Sequence, residues 1–368
     1  MNATTLDAVV RRFPLLGRPR PACPSLVEQV EEVAGIAAAA SGVDRLAEGA
    51  HALNKAALVL SDCGLHQEAR DLCWRHINVY RQASTLSALQ ARYLLEPVIN
   101  LARLQLRESN GDRALHLLEA VYQAVTKGSE LVVDGHALPV GDLVGTREEH
   151  QKLREWVWLQ YIGEGIRALT LSGRWDEAAM HAAEHRGIGL HLMEGRQVAI
   201  IAPLLHGDLH TARKLLEEST PAYPWERQVF SCLTVMCGDQ TARRDMVERF
   251  HDTEPAPGYA SFRARLGLAV VTLLGDDDPS ETRHVFTRVI AEAIQAGDGY
   301  AARDVLGHRL RMSDLEREAL SGLVTASGLG ARAVPAPLLD LLLDSVKTAE
   351  NALVAVIAEG ARPGPSGC

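Results

Sequence analysis

The chain has 368 residues, 47% hydrophobic and 23% charged, enough to bury a large core. At that length a compact fold divides into domains, whereas a repeat array runs on as one body. Lys and Arg number 38 against 47 Asp and Glu, a formal net charge of −9, which repels polyanions and excludes general nucleic-acid binding.

Residues 1–25 carry prolines at 14, 19, 21 and 24, and read as a flexible, Pro-rich arm. Arg11-Arg12-Phe13 is followed by Gly17-Arg-Pro-Arg-Pro21 where an export signal needs an apolar run. From Ser25-Leu-Val-Glu28, a capping box, apolar residues recur at helical spacing almost without interruption. Helical repeats are expected over 26–127 and again over 151–330. Between them, Glu130-Leu-Val-Val-Asp-Gly-His-Ala-Leu-Pro-Val140 sets β-branched residues about Asp134-Gly135. That pattern predicts a β-hairpin and loop inserted over 128–150. Ser313-Asp-Leu-Glu316 is a second capping box. Residues 331–368 supply an apolar helix from Leu338 to Glu359, which caps the last repeat or docks a partner, and a disordered tail from Arg362.

The helices share a punctuation. Ala56 to Gly64, Ile166 to Gly173 and Ala199 to Gly207 are each an apolar helix closed by glycine, with alanine five residues later at Ala69, Ala178 and Ala212. Weaker copies close at Gly111 with Ala114 and Gly238 with Ala242. Glycine supplies the left-handed residue that ends a helix, and alanine lets the next helix pack closely. Gly173 and Gly207 lie 34 residues apart, and Gly207 and Gly238 lie 31 apart. In that period and small-residue pattern the chain resembles tetratricopeptide repeats over roughly residues 45 to 300, without most of the family's tryptophan and tyrosine positions. The resemblance implies an all-α solenoid of antiparallel helix pairs, a superhelix interrupted here by the small hairpin.

Six cysteines, Cys23, Cys63, Cys73, Cys232, Cys237 and Cys368, form no CxxC pair, and read as reduced, buried residues of a cytoplasmic protein. The apolar runs are too short to span a bilayer. Three motifs touch on metal chemistry. His181-Ala-Ala-Glu-His185 puts two histidines on one helical face, as a zinc pair requires, without a downstream acidic ligand. Asp277-Asp-Pro-Ser-Glu281 has the aspartate-rich form of helical terpene cyclases but reads more simply as a helix start. His206-Gly-Asp-Leu-His210 spans a repeat turn.

In tetratricopeptide arrays the first helix of each pair lines the concave face, and counting back from the turns puts a polar stripe there. It comprises His51 and Asn54, Glu96 and Arg103, Gln160 and Arg167, then Glu194 and Gln197. Arginines beside small residues suit a peptide or a carboxylate-bearing ligand. Asp134 and His136 on the hairpin are a second candidate contact. The expectation is a non-catalytic cytoplasmic scaffold, without cofactor, that binds a peptide or protein partner and neither nucleic acid nor membrane. It includes a regulatory variant like the sensor half of peptide-responsive bacterial regulators, and a homodimer through the C-terminal helix. The rival is an accessory biosynthetic or metal-dependent enzyme using His181 and His185 or Asp134 and His136.

Overall fold

A computed structural model describes residues 3–42, 44–81, 83 and 85–360. Among them are seventeen α-helices and four short strands, so the chain is all-α with very little sheet. The helices begin with α1 (Ala3–Val10), α2 (Leu26–Ala39), α3 (Arg45–Asp62), α4 (His66–Arg81), α5 (Ala88–Arg107), α6 (Gly111–Lys127) and α7 (Arg147–Leu171). There follow α8 (Trp175–Glu184), α9 (Glu194–Leu205), α10 (Leu209–Glu217), α11 (Pro224–Met236) and α12 (Arg243–Asp252). The last are α13 (Ala260–Leu274), α14 (Pro279–Ala296), α15 (Gly299–Leu306), α16 (Asp314–Ala326) and α17 (Ala336–Gly360). No described helix is long and apolar enough to cross a membrane.

The turns repeat one another in detail. Gly64, Gly173, Gly207 and Gly238 all have positive φ, between 73° and 97°. At Gly64 the glycine N–H donates to Ser61 O, and the next N–H, of Leu65, reaches back to Leu60 O. The same pair of bonds recurs at Gly173, Gly207 and Gly238, satisfying carbonyls that a helix end otherwise leaves open. The copy expected at Gly111 differs: the positive φ falls on Ser109, at 62°, and the bond pair is made by Ser109 and Asn110. Ala69, Ala114, Ala178 and Ala212 are all fully buried.

Backbone contacts divide the chain into two compact units that interleave in sequence. The first takes the residues up to Ser25 together with Leu169–Ser327, and the second takes Leu26–Ala168 and the chain from Gly328 onward. The chain passes from the second to the first inside α7, not at the hairpin.

In the first unit α8 packs on α9, α9 on α10, α11 on α12, α13 on α14 and α15 on α16. The N-terminal segment, expected to be a loose arm, is part of this core. It forms α1 against α13 and buries Val9, Val10, Phe13, Leu15 and Cys23. Proline density stops a helix; it does not stop apolar side chains from being buried. Gln197, fully buried on α9, fixes the segment: its Nε2 donates to Leu15 O at 2.7 Å and its Oε1 accepts from Leu15 N at 2.8 Å.

In the second unit α2 to α6 each pack on the next in sequence. Strands β2 (Leu131–Val133) and β3 (His136–Leu138) pair antiparallel, with Asp134 and Gly135 both at positive φ between them. This is the expected hairpin. A parallel pairing of β1 (Leu86–Ser87) with β4 (Leu143–Val144) ties the following loop to the start of α5. The last helix, α17, was expected to cap the last repeat or to dock a partner. Instead it packs on α2, α3 and α4 at the other end of the sequence. Leu342, Val346, Ala349 and Leu353 are its buried face. A side chain at Gly49 of α3 would meet Leu353 at 2.9 Å, so glycine permits this close crossing.

Cys23, Cys63, Cys73, Cys232 and Cys237 are unbridged and buried. Burial pushes the Cys73 and Cys232 thiols up to about 12 and those of Cys63 and Cys237 up to about 11. Cys368 and the tail from Arg362 lie outside the described residues.

Two outcomes test this account. Gly64→Ala forces a β-carbon into the left-handed region and lowers the stability of the second unit by about 1–2 kcal/mol, while Ser109→Gly raises it by up to about 1 kcal/mol; urea unfolding of each variant measures both. Gln197→Ala leaves a buried N–H and C=O of Leu15 unpaired, and destabilises the first unit by about 2–4 kcal/mol. Limited proteolysis then releases the segment before Ser25 faster than in the wild type.

Candidate functional site

Six of the stripe residues belong to the second unit, on α3, α5 and α7, and the fold joins five of them in one hydrogen-bonded chain. Asn54 Nδ2 donates to Glu96 Oε2 at 2.8 Å, and Asn54 Oδ1 accepts from Asn100 Nδ2 at 2.9 Å. Arg103 donates from Nη1 to Asn100 Oδ1 at 3.0 Å, from Nη2 to Gln160 Oε1 at 3.0 Å, and from Nε to Glu164 Oε1 at 2.6 Å. Arg167 reaches the other oxygen of Glu164 at 3.4 Å. The sixth, His51, lines a cleft at the end of this chain.

Asn100 and Glu164 were not anticipated, although the signal was present. Glu96, Asn100 and Arg103 fall at i, i+4 and i+7 on α5, and Gln160, Glu164 and Arg167 do so on α7, which places each triplet on one helical face.

The two carboxylates of the chain sit in opposite electrostatic settings. Burial alone would raise the Glu164 carboxyl, but Arg103 and Arg167 together hold it below its ordinary value. Glu96 is raised by burial, which outweighs Arg92, the Asn54 amide and Arg103. Arg92, 3.5 Å from Glu96, also lies over the Trp156 ring, 5.5 Å from its centroid. Glu96 opens on a cleft of about 290 Å³ lined also by Ala47, Glu48, His51, Asn54 and Tyr93. Burial and then Glu96, Asp44 and Glu48 raise the Tyr93 hydroxyl. The lining thus holds two carboxylates and neither arginine nor lysine, the reverse of a carboxylate-binding surface.

The remaining candidates lie elsewhere. Glu194 pairs with Arg18 at 3.1 Å, and Gln197 is the buried clamp on Leu15, so in this fold both hold the N-terminal segment. Sequence periodicity cannot distinguish an inward polar residue that meets a ligand from one that meets the protein's own backbone. His136 stacks edge-on against Trp74, with ring centroids 5.2 Å apart, and its Nδ1 lies 3.4 Å from Arg81 Nη2. Asp134 lines a second cavity described below. His181 on α8 and His185, which caps that helix, have ring centroids 5.0 Å apart, with His181 buried.

Among the described residues, one group has metal-ligand spacing, and it was not anticipated: His251 of α12 with Glu281 and His284 of α14. Glu281 Oε1 is 3.3 Å from His251 Nε2 and 3.8 Å from His284 Nδ1. On the far side of His251, Arg288 Nη1 sits 3.2 Å from Nδ1. A guanidinium can only donate there, so Nδ1 accepts and the imidazole proton lies on Nε2, toward Glu281, where a metal would need a lone pair instead. Asp278 caps α14 through Glu281 N, and Asp277 pairs with Arg243 at 2.6 Å, the helix-start reading of that acidic motif. His206 pairs with Asp176 at 2.8 Å.

Comparison with known protein families, with curated proteins and with solved structures finds no match.

Glu96 and Glu164 respond oppositely to loss of charge. Glu96, raised in the fold, lowers stability as pH rises through and above its unfolded value, so Glu96→Gln stabilises the second unit at pH 7 and the gain disappears near pH 4. Glu164, lowered in the fold, contributes stability above its unfolded value that is lost on acidification, so Glu164→Gln destabilises at pH 7. Urea midpoints of both variants across pH 4–7 check the signs.

Proposed function

We propose that the chain is a non-catalytic, tetratricopeptide-like helical-repeat module of the cytoplasm. In this reading it binds an extended peptide or a segment of a protein partner along the polar stripe of α3, α5 and α7. The observation that carries it is the hydrogen-bonded chain from Glu96 to Arg167, which ends at a cleft lined by the Glu48 and Glu96 carboxylates. Its arginines are held by Glu164, so capture of a carboxylate, the first expectation from the residue types, is the less favoured chemistry. A basic side chain of the partner fits the Glu48, Glu96 and Tyr93 lining: its cation meets two carboxylates and an aromatic ring, and its methylenes lie along Ala47. The asparagine and glutamine amides farther along the stripe offer both donors and acceptors to an extended backbone. The net charge of −9 favours the same partner through long-range attraction.

The rival reading, an accessory biosynthetic or metal-dependent enzyme, has only the metal-ligand spacing of His251, Glu281 and His284 in its favour, and the Arg288 contact on His251 counts against an ion there. Stoichiometric metal in the purified protein, lost in His251→Ala, would favour it. A homodimer through α17 has in its favour the exposed Leu341, Leu343 and Val354; sedimentation of the wild type against Leu343→Glu tests it.

Selection of random displayed peptides on the immobilised full chain tests the principal reading. Enriched sequences contain lysine or arginine, and a peptide chosen from them binds Glu96→Gln about tenfold more weakly, a loss of about 1.4 kcal/mol. Enrichment of acidic sequences, or equal binding to the variant, overturns it.

A further inference from the structure

The second unit holds another cavity, of about 310 Å³, between α5, α6 and the hairpin. Its floor is apolar: Leu101 and Val133 are buried, and Leu117 is half-buried. Gln105 lines it, and the Gln105 side-chain oxygen is buried with no hydrogen-bond partner among the described residues. A donor placed in the cavity therefore gains, at the Gln105 side-chain oxygen, a hydrogen bond that the folded chain does not make. On one side of the cavity Arg113 and His116 lie one turn apart on α6, and neither has an ion-pair or hydrogen-bond partner among the described residues. On the other side stands Asp134, in the left-handed turn of the hairpin.

We infer that this cavity binds a free apolar α-amino acid. The carboxylate lies against Arg113 and His116, the ammonium between Asp134 and Gln105 Oε1, and the side chain on Leu101, Leu117 and Val133. Each group of the ligand answers a feature of the site. The guanidinium fork matches a carboxylate in two parallel bonds. The ammonium supplies the donor that Gln105 lacks and a charge for Asp134. The apolar floor gives the side chain a surface to cover, and the volume admits a leucine- or phenylalanine-sized body. Apolar walls with a few convergent polar groups of both signs are the composition expected of a small zwitterion's pocket. A peptide C-terminus offers the carboxylate without the ammonium, and a peptide N-terminus offers the reverse, so the two charges separate these sources.

The probe is L-leucine, titrated into the full chain by calorimetry and by saturation-transfer NMR, with leucinamide and N-acetyl-leucine as the two half-charged analogues. Leucine binds saturably, and each analogue binds at least tenfold more weakly. Arg113→Gln weakens leucine at least tenfold. Asp134→Asn, which keeps the left-handed turn, weakens leucine but not N-acetyl-leucine. Glu119→Gln, on the exposed side of α6, leaves binding unchanged and shows that loss of a charge on this helix is not itself the cause. Circular dichroism confirms that each variant is folded. No saturable binding of leucine or phenylalanine up to 10 mM (roughly the weakest affinity of interest) overturns the inference. So does leucinamide or N-acetyl-leucine binding as tightly as leucine, or Arg113→Gln binding like the wild type.

Discussion

Everything in this fold depends on how a helix is ended. At Gly64, Ser109, Gly173, Gly207 and Gly238 the left-handed residue turns the backbone so that two successive N–H groups reach back to the last turn of the helix they have just left. The chain is reversed within a few residues and the next helix must lie against the previous one. The buried alanine five positions on then sets how closely they approach, because any larger side chain there would hold the axes apart. Where the glycine is replaced, at Ser109, the hydrogen bonds are retained and the strain is borne by a residue with a β-carbon. The bond pair is therefore the conserved feature of the architecture, and glycine is its least strained means.

With the helices so placed, identical side chains acquire different chemistry from their neighbours. Glu96 and Glu164 belong to the same hydrogen-bonded chain, one turn pattern apart on parallel triplets. One is compensated by two arginines, and the other faces a cleft with another carboxylate and a phenol. The compensated glutamate is a structural link. The other, whose burial outweighs the help of Arg92, Asn54 and Arg103, costs stability in the free protein, and a cation that relieved it would regain that energy on binding.

Local signals were legible in the sequence and non-local ones were not. Gly64, Gly173, Gly207 and Gly238, the alanines Ala69, Ala178 and Ala212, and the Asp134-Gly135 turn are written in windows of a few residues, and the structure follows them, whereas Ala242 after Gly238 stays half-buried. Six of eight stripe residues fall on one set of helices because helical periodicity alone fixes a face. Gln197 was indistinguishable from them by that criterion, since its partner, Leu15, is 182 positions away. The N-terminal segment was misjudged because prolines were weighed and the apolar residues Val9, Val10, Phe13 and Leu15 were not. Likewise α17 displays its apolar face openly in sequence, but which helices receive it depends on Gly49 and Leu353 meeting across some three hundred residues. The His251, Glu281 and His284 group escaped notice because it joins two helices that no motif links.

The interleaving of the two units has a consequence for synthesis. A chain emerges from the ribosome N-terminus first, and domains ordinarily fold as they appear. Here the segment before Ser25 emerges well ahead of its partners: Gln197 on α9 comes 182 residues after Leu15, and Arg265 on α13 comes 253 after Arg12. The next helices, α2 and α3, present an apolar face whose cover, α17, is made about three hundred residues later. Neither unit can close while translation continues through most of its length, so the nascent chain carries exposed apolar helices for longer than a protein of simple repeat order. Demand on chaperones is thereby built into the order of the elements rather than into any one of them.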